Sequence, residues 1–304
     1  MADSRLKHLA AAWPQLVELD VPMSEHTTFR IGGPADALAV PTTIPELKEL
    51  LQFCAKQQLP IMVIGRGSNL LVRDGGLRAV VIKIADAMST VALKEDGLQA
   101  EAGISLAALS RTAASAGFGG LEFASGIPGT LGGALMMNAG AYGGTMQDVV
   151  QQVTALDSVG NEHVLSAEEL DFGYRHSALL QRQLIAVSAR LRLPEQDPMI
   201  SKQIMADLAN RRREKQPIHL PSAGSVFKRP PGHYAGALIQ QAGLMGKRIG
   251  GAEVSTLHAG FIVNIGGATA ADVESLIQHV QQTVYDKFGV WLETEVRIVG
   301  EKVG

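Results

Sequence analysis

Ser125 to Gly144 reads SGIPGTLGGALMMNAGAYGG, and seven of its residues are glycine: Gly126, Gly129, Gly132, Gly133, Gly140, Gly143 and Gly144. Glycine lets backbone approach a ligand closely and adopts positive φ at no steric cost. Successive backbone N–H groups exposed in such turns form an anion-binding nest. Alone, the stretch also suits an irregular loop of tight turns. A second glycine-rich turn, Gly65-Arg66-Gly67-Ser68-Asn69, follows the apolar run Ile61-Met62-Val63-Ile64. Two such loops in one chain suit a long ligand with a pyrophosphate at its middle, that is, a dinucleotide.

The common phosphate-binding signatures are missing. A P-loop needs GxxxxGK[ST], and no lysine follows the glycines at that spacing. A Rossmann fingerprint needs a third glycine three residues after the second. From Gly65 and Gly67 that position is Leu70, and Gly126, Gly129 and Gly132 have the wrong first spacing.

The 304 residues suggest about two domains. Apolar residues make up 46% and charged residues 19%, which gives a globular chain an ample core. A formal net charge of −3 gives no electrostatic reason to expect nucleic acid. The single cysteine, Cys54, cannot form an internal disulfide and lies on an apolar helical pattern, so a buried structural thiol in a reducing compartment is expected. The start, MADSRLKHLAAAWPQL, has no signal-peptide core. No apolar run approaches the roughly 18 residues of a membrane helix. A soluble cytoplasmic protein with no membrane or nucleic-acid partner is expected. The eight histidines show no HxxxH or paired His/carboxylate spacing, so no catalytic metal is expected.

Periodicity places a weakly amphipathic helix over residues 4–19. Pro45 opens a second helix whose buried face is Leu47, Leu50, Leu51 and Cys54. Short strands are expected at 61–64, 79–84 and 98–102, a helix at 106–116 closed by Gly117, and a hairpin over 149–157 and 163–165. Residues 184–193 read as a strand. A boundary falls at Pro194-Glu195-Gln196-Asp197-Pro198. Beyond it 200–215 reads as a helix with Ile200, Ile204 and Leu208 on one face, followed by a short helix at 234–242. Thr269 caps a helix with the buried stripe Val273, Leu276, Ile277, Val280 and Val284. Alternation over 290–299 reads as a strand with Glu293, Glu295 and Arg297 on one face. The mixture is α+β rather than a regular βαβ array.

Thr27-Thr28-Phe29-Arg30-Ile31-Gly32-Gly33, Ile64 to Leu71 and Gly126 to Ala134 resemble the FAD-binding half of the UDP-N-acetylenolpyruvoylglucosamine reductase (MurB) family. Tyr174-Arg175-His176-Ser177, Pro221 to Lys228 and Leu292 to Arg297 resemble its later segments, in order. The resemblance implies the FAD-binding fold of the vanillyl-alcohol-oxidase-like (PCMH-type) superfamily plus a smaller α+β substrate domain. The expected boundaries are 1–85 for a first FAD-binding subdomain, with 300–304 candidates to join it, 86–197 for a second, and 198–299 for the substrate domain. The chain passes from Arg190 through Pro194 to the next helix with little room for an insertion, so it resembles the shorter form of the family, without the tyrosine loop.

The reaction implied is reduction of FAD by NADPH, then of an enolpyruvyl ether on a nucleotide sugar. By motif match Ser225 is the proton donor, Glu295 orients the substrate or donates a proton, and Arg175 clamps the substrate carboxylate. Spacing alone leaves Ser222 a rival of Ser225, and Glu293 a rival of Glu295. FAD contacts are expected at Gly65, Arg66, Gly67, Ser68, Asn69, Leu70, Ser125, Gly126, Gly129, Thr130, Gly133, Ala134, Asn138 and Gly140. Lys215 and Lys228 are candidates to meet the uridine diphosphate. The first loop has no histidine, so the flavin is expected to be non-covalent. Two other readings stand beside this one: an oxidase of a hydroxy acid or alditol on the same flavin scaffold, and a non-catalytic flavin-binding protein.

Overall fold

The computed structural model describes residues 3–303. Residues 1–2 and 304, the ends of the first expected subdomain, lie outside the described residues. The chain divides into one unit made of Met1–Leu19, Ala37–Arg66 and Ala79–Arg211 and another made of Asp20–Asp36, Gly67–Arg78 and Arg212–Gly304. It changes unit within strands Val17–Pro22, Pro34–Ala39 and Leu77–Lys83, after Arg66 in the first glycine turn, and within helix Pro198–Lys215.

The first unit is built on a five-stranded antiparallel sheet in the order Glu162–Ser166, Val150–Leu156, Ile185–Arg192, Gly97–Glu101, Val91–Lys94. Helix Ile44–Lys56 starts where the Thr43 hydroxyl accepts from Glu46 N and Pro45 needs no N–H partner. It buries Leu47, Leu50, Leu51 and Cys54 in the same core as the sheet. Burial pushes the Cys54 thiol up to about 11, which keeps it protonated and inert. Strand Ile61–Ile64 runs parallel to Leu77–Lys83 and delivers the chain to Gly65.

The second unit has its own core around an antiparallel sheet ordered Ser222–Ser225, Phe261–Asn264, Ala252–Val254, Arg248–Ile249. Helix Ala270–Phe288 contributes Val273, Leu276, Ile277, Val280 and Val284 to it, the stripe read from the sequence. Strand Arg297–Val299 pairs in parallel with Leu70–Val72. The Asp74 carboxylate accepts from Ala270 N (2.9 Å) and Ala271 N (3.0 Å), fixing the start of the long helix. Gly76 has φ +81°, and a Cβ there would lie 1.9 Å from the Pro34 carbonyl oxygen, so only glycine closes this turn.

Several expectations change. The N-terminal helix ends at Ala12, because Trp13 precedes Pro14 and is pushed out of the helical region; Val17–Pro22 is a strand. The long glycine stretch contains a helix, Leu131–Met136. Helix Pro198–Lys215 forms, but Ile200 and Ile204 are 53% and 38% exposed, and Ser201 is its buried residue. Ser201 Oγ donates to Glu122 Oε1 at 2.7 Å, and Gln196 Nε2 donates to the same oxygen at 2.7 Å, so a polar anchor holds this helix in place of an apolar stripe. The final strand shortens to Arg297–Val299. Glu295 N and Val296 N both donate to the Val226 carbonyl, which a regular ladder does not allow.

Thr269 and Asp272 form a reciprocal capping box on the long helix. The Asp272 carboxyl is held below its ordinary range, first by the Thr269 N–H, which bonds the ionised form. Its contribution is therefore complete above the ordinary aspartate pKa and is lost as pH falls through the lowered value. Thr269→Ala is expected to weaken the first turn by about 1 kcal/mol, read as about fivefold faster amide exchange there at neutral pH. Asp272→Asn is expected to show a deficit against wild type at pH 7 that closes in acid. Unchanged exchange in both variants would mean that the Asp74 carboxylate alone holds the helix start.

Candidate active site

In the first unit the two glycine loops touch. A Cβ on Gly65 would lie 2.4 Å from Thr130 Oγ1, so the strand can end against that hydroxyl only as glycine. Thr130 is 2% exposed and caps helix Leu131–Met136, accepting from Gly133 N at 3.4 Å. Leu131 N and Gly132 N donate to the carbonyls of Ile104 (2.9 Å) and Ala102 (2.8 Å), which pins the helix start beside the sheet. Around this meeting lies a cavity of about 90 Å³ with Gly65, Thr130, Gly132 and Gly133 on its rim and Ile64, Ile84, Leu184 and Ile185 on its walls. Bare backbone on one side and aliphatic side chains on the other suit a ligand that is part phosphate and part flat ring. Gly126 and Gly133 are exposed and can be approached.

The other expected cofactor residues have varied surroundings. Arg66 pairs with Asp86 at the exposed edge. Ser125 Oγ donates to the Glu122 carbonyl at 2.8 Å, and the Gly129 carbonyl accepts from Leu106 N at 3.1 Å. Ala134 is buried in the core. Gly140 belongs to the two-residue strand Gly140–Ala141, where a Cβ would lie 2.8 Å from the Gly144 carbonyl oxygen. Asn138 is 5% exposed and bonds the chain through both ends of its amide.

Arg175 sits at the tip of a tight turn. Gly173 N and His176 N each donate to the other residue's carbonyl, at 3.1 and 3.2 Å. Arg175 has φ +55°, and its guanidinium lies 5.0 Å from the centre of the Tyr174 ring. Ser177, fully buried, caps helix Ala178–Gln181 and donates from Oγ to the Met136 carbonyl at 2.8 Å.

The second unit brings together Ser225, Glu295, Asn69 and Lys228. Strand Ser222–Ser225 carries a bulge against Phe261–Asn264: Ser222 pairs with Val263 and Ser225 with Phe261. Gly224 supplies it with φ +75°. The extra residue puts Ser222 and Ser225 on the same face, so position on the sheet does not separate them. The next residue does. Val226 N donates to the Gly260 carbonyl at 2.9 Å, and the Val226 carbonyl accepts from Glu295 N at 2.7 Å. The Glu295 main chain is thereby held against Val226, the residue after Ser225. Asn69 locks the arrangement, donating from Nδ2 to the Glu295 carbonyl (3.2 Å) while its own carbonyl accepts from Arg297 N (3.0 Å). Leu70 follows in the parallel strand, and Gly67 holds φ +63° against the His26 carbonyl.

The Glu293 side chain is 72% exposed and pairs with Lys228 Nζ at 3.2 Å, and its carbonyl accepts from Lys228 N at 2.9 Å. Lys215 lies exposed in the last turn of helix Pro198–Lys215. His258 was not legible from spacing. Its Nδ1 accepts from Gly260 N at 3.2 Å, its ring stands edge-on to Phe261, and burial pushes its imidazole below the ordinary value. A histidine two residues before a glycine was the only signal in the sequence. Among the described residues no group of three His, Cys, Asp or Glu side chains could hold a metal ion, and no helix is long and apolar enough to cross a membrane.

Two family models match the chain: an FAD binding domain over residues 35–166, and the C-terminal domain of UDP-N-acetylenolpyruvoylglucosamine reductase over 216–299. The chain is 53% identical to the UDP-N-acetylenolpyruvoylglucosamine reductase of Alkaliphilus oremlandii (strain OhILAs), over 97% of this chain and 98% of that one. It is similar to the crystal structure of UDP-N-acetylenolpyruvylglucosamine reductase (MurB) from Thermus caldophilus, with a TM-score of 0.79 and 38% identity over 91% of this chain and 97% of that one. A structure of alkyldihydroxyacetonephosphate synthase, with a TM-score of 0.50 and 17% identity over 64% of this chain and 41% of that one, shares the fold alone. The fold is the α+β, PCMH-type FAD-binding fold read from the sequence, and the glycine-lined cavity belongs to a flavoprotein's FAD-binding domain. With both models matched in order and such identity along nearly all its length, the chain belongs to the UDP-N-acetylenolpyruvoylglucosamine reductase (MurB) family.

Proposed function

We propose that this protein is an NADPH-dependent flavoenzyme that reduces UDP-N-acetylglucosamine enolpyruvate to UDP-N-acetylmuramate in peptidoglycan precursor synthesis. The observation that carries the reading is the Val226 carbonyl bond to Glu295 N, which brings the main chain of Glu295 next to the residue that follows Ser225. A serine donor with a neighbouring acid is what protonation of a carbanion-like carbon requires. An oxidase taking hydride from an alcohol has no use for it. Gly65, Gly67, Thr130 and Gly133 are the residues to hold the flavin, without a covalent bond. In this reading 1–85 and 86–197 are the FAD-binding subdomains and 198–299 the substrate domain. A cytoplasmic location and a nucleotide-sugar substrate go with it.

FAD, when bound, supplies a carrier that takes hydride from NADPH and passes it to the terminal carbon of the enolpyruvyl ether. The chain's own residues manage the charge that follows. Negative charge develops on the adjacent carbon and spreads into the substrate carboxylate. Arg175 offers a planar, always-charged fork that binds a carboxylate bidentately and stabilises that charge. Ser225 Oγ gives its proton to the carbon and regains one from solvent. Glu295 orients the substrate. Lys215 and Lys228 stand as diphosphate contacts, and Lys228 must exchange Glu293 for the phosphate to serve.

Two experiments test this reading. Acid denaturation is expected to release free FAD into the supernatant; flavin that stays with the precipitate contradicts non-covalent binding. Gly65→Val is expected to lower the flavin content of the purified protein, because its side chain would overlap Thr130.

Stopped-flow kinetics separate the halves of the reaction. Ser225→Ala is expected to keep the NADPH step near its normal rate and to slow reoxidation by the enolpyruvyl substrate about 10²–10⁴-fold, the usual worth of general acid catalysis. Ser222→Ala, on the same sheet face, is the control. If both halves slow together in Ser225→Ala, the serine supports the fold or the flavin. If neither slows, the proton comes from Glu295 or water.

A further inference from the structure

We propose that Asn138 is the positioning residue for Arg175. The inference rests on the reading of Arg175 as the carboxylate clamp. Asn138 Nδ2 donates to the Gly173 carbonyl at 3.0 Å, and Asn138 Oδ1 accepts from Gln147 N at 2.9 Å. Both partners are backbone groups of fixed polarity, so the amide has one orientation. Gly173 is the first residue of the turn that presents Arg175, and its carbonyl also accepts from His176 N. The second peg of the turn is Ser177 Oγ on the Met136 carbonyl. Both pegs therefore stand on residues 136–138, at the end of the helix whose first residues rim the flavin cavity.

The backbone supports the same conclusion. Arg175 holds φ +55°, a conformation that an L side chain keeps only where its surroundings over-determine it. The two pegs belong to those surroundings, together with the paired Gly173 and His176 main chain and the Tyr174 ring. Asn138 itself has φ +41°, which asparagine tolerates better than most residues. It is buried, and its amide is spent on the chain rather than on a ligand. The helix that shapes the cofactor cavity thus also fixes the height and direction of the arginine turn. Asn138 touches neither the reacting atoms nor the substrate in this account; it acts through Arg175.

The test is a double-mutant cycle on wild type, Asn138→Gly, Arg175→Ala and the double variant. The quantity read is the rate at which UDP-N-acetylglucosamine enolpyruvate reoxidises the NADPH-reduced enzyme. Glycine keeps the left-handed backbone and removes only the side chain. Asn138→Gly is expected to slow reoxidation by about tenfold or more, since misplacement of a positioning group by ~1 Å costs about 10²-fold. The double variant is expected to be no slower than Arg175→Ala. A second readout is independent of turnover: the His176 amide is expected to exchange faster in Asn138→Gly. Losses that multiply in the double variant, or wild-type exchange at His176, overturn the inference while leaving the clamp reading intact. Wild-type reoxidation in Arg175→Ala overturns the clamp reading, and with it the inference. If Asn138→Gly does not fold, Asn138→Asp keeps an oxygen for Gln147 N, loses the donor to the Gly173 carbonyl and enters the same cycle with the same expected outcomes.

Discussion

The closeness of Gly65 to Thr130 is the constraint on which the first unit depends. A Cβ between them would lie 2.4 Å from a hydroxyl oxygen. That hydroxyl caps helix Leu131–Met136 inside the Ser125–Gly144 stretch. The end of one strand, the start of one helix and the rim of the cavity are therefore a single packing decision. At Gly65 a side chain larger than hydrogen is excluded from that rim. Thr130 also cannot move freely, because Leu131 N and Gly132 N are tied to carbonyls beside the sheet. The same helix ends at Met136, and Met136 with Asn138, two residues further on, bonds the segment that carries Arg175.

The second unit is organised around one carbonyl. Val226 receives both Glu295 N and Val296 N, at 2.7 and 3.3 Å. This breaks the last strand short and presents Glu295 beside the serine-bearing bulge. Asn69 closes the arrangement from the other side. Residues 69–75 and 297–301 thus meet through main-chain bonds, which is why the second unit gathers segments from both ends of the sequence.

Much of the fold was legible because periodicity reports burial. Val273, Leu276, Ile277, Val280 and Val284 all line the core as their spacing demanded, and Thr269 caps the helix they belong to. Leu292 and Val296 are buried as alternation required, although no strand runs through them. The helix Leu131–Met136 was hidden because two of its residues are glycine, which propensity counts against a helix, while Thr130 and the neighbouring carbonyls supply what propensity lacks. Helix Pro198–Lys215 misled in the opposite way. Its apolar residues are spaced for packing, yet its buried anchor is the hydroxyl of Ser201, and hydroxyl–carboxylate networks leave no periodic trace. Of the site, Ser225, Glu295 and Arg175 were legible only as motifs. Asn138 and Ser177 take their roles from chain segments distant in sequence, and no local pattern announces that.

In the proposed reaction electrons enter from NADPH and leave to an enolpyruvyl nucleotide sugar. The decisive measurement is the visible absorbance of the purified flavoprotein under anaerobic conditions. NADPH is expected to bleach the flavin, and UDP-N-acetylglucosamine enolpyruvate, added next, is expected to restore its absorbance without oxygen. A flavin that NADPH leaves unbleached, or that stays reduced with the enolpyruvyl substrate and recovers only in air, would contradict it.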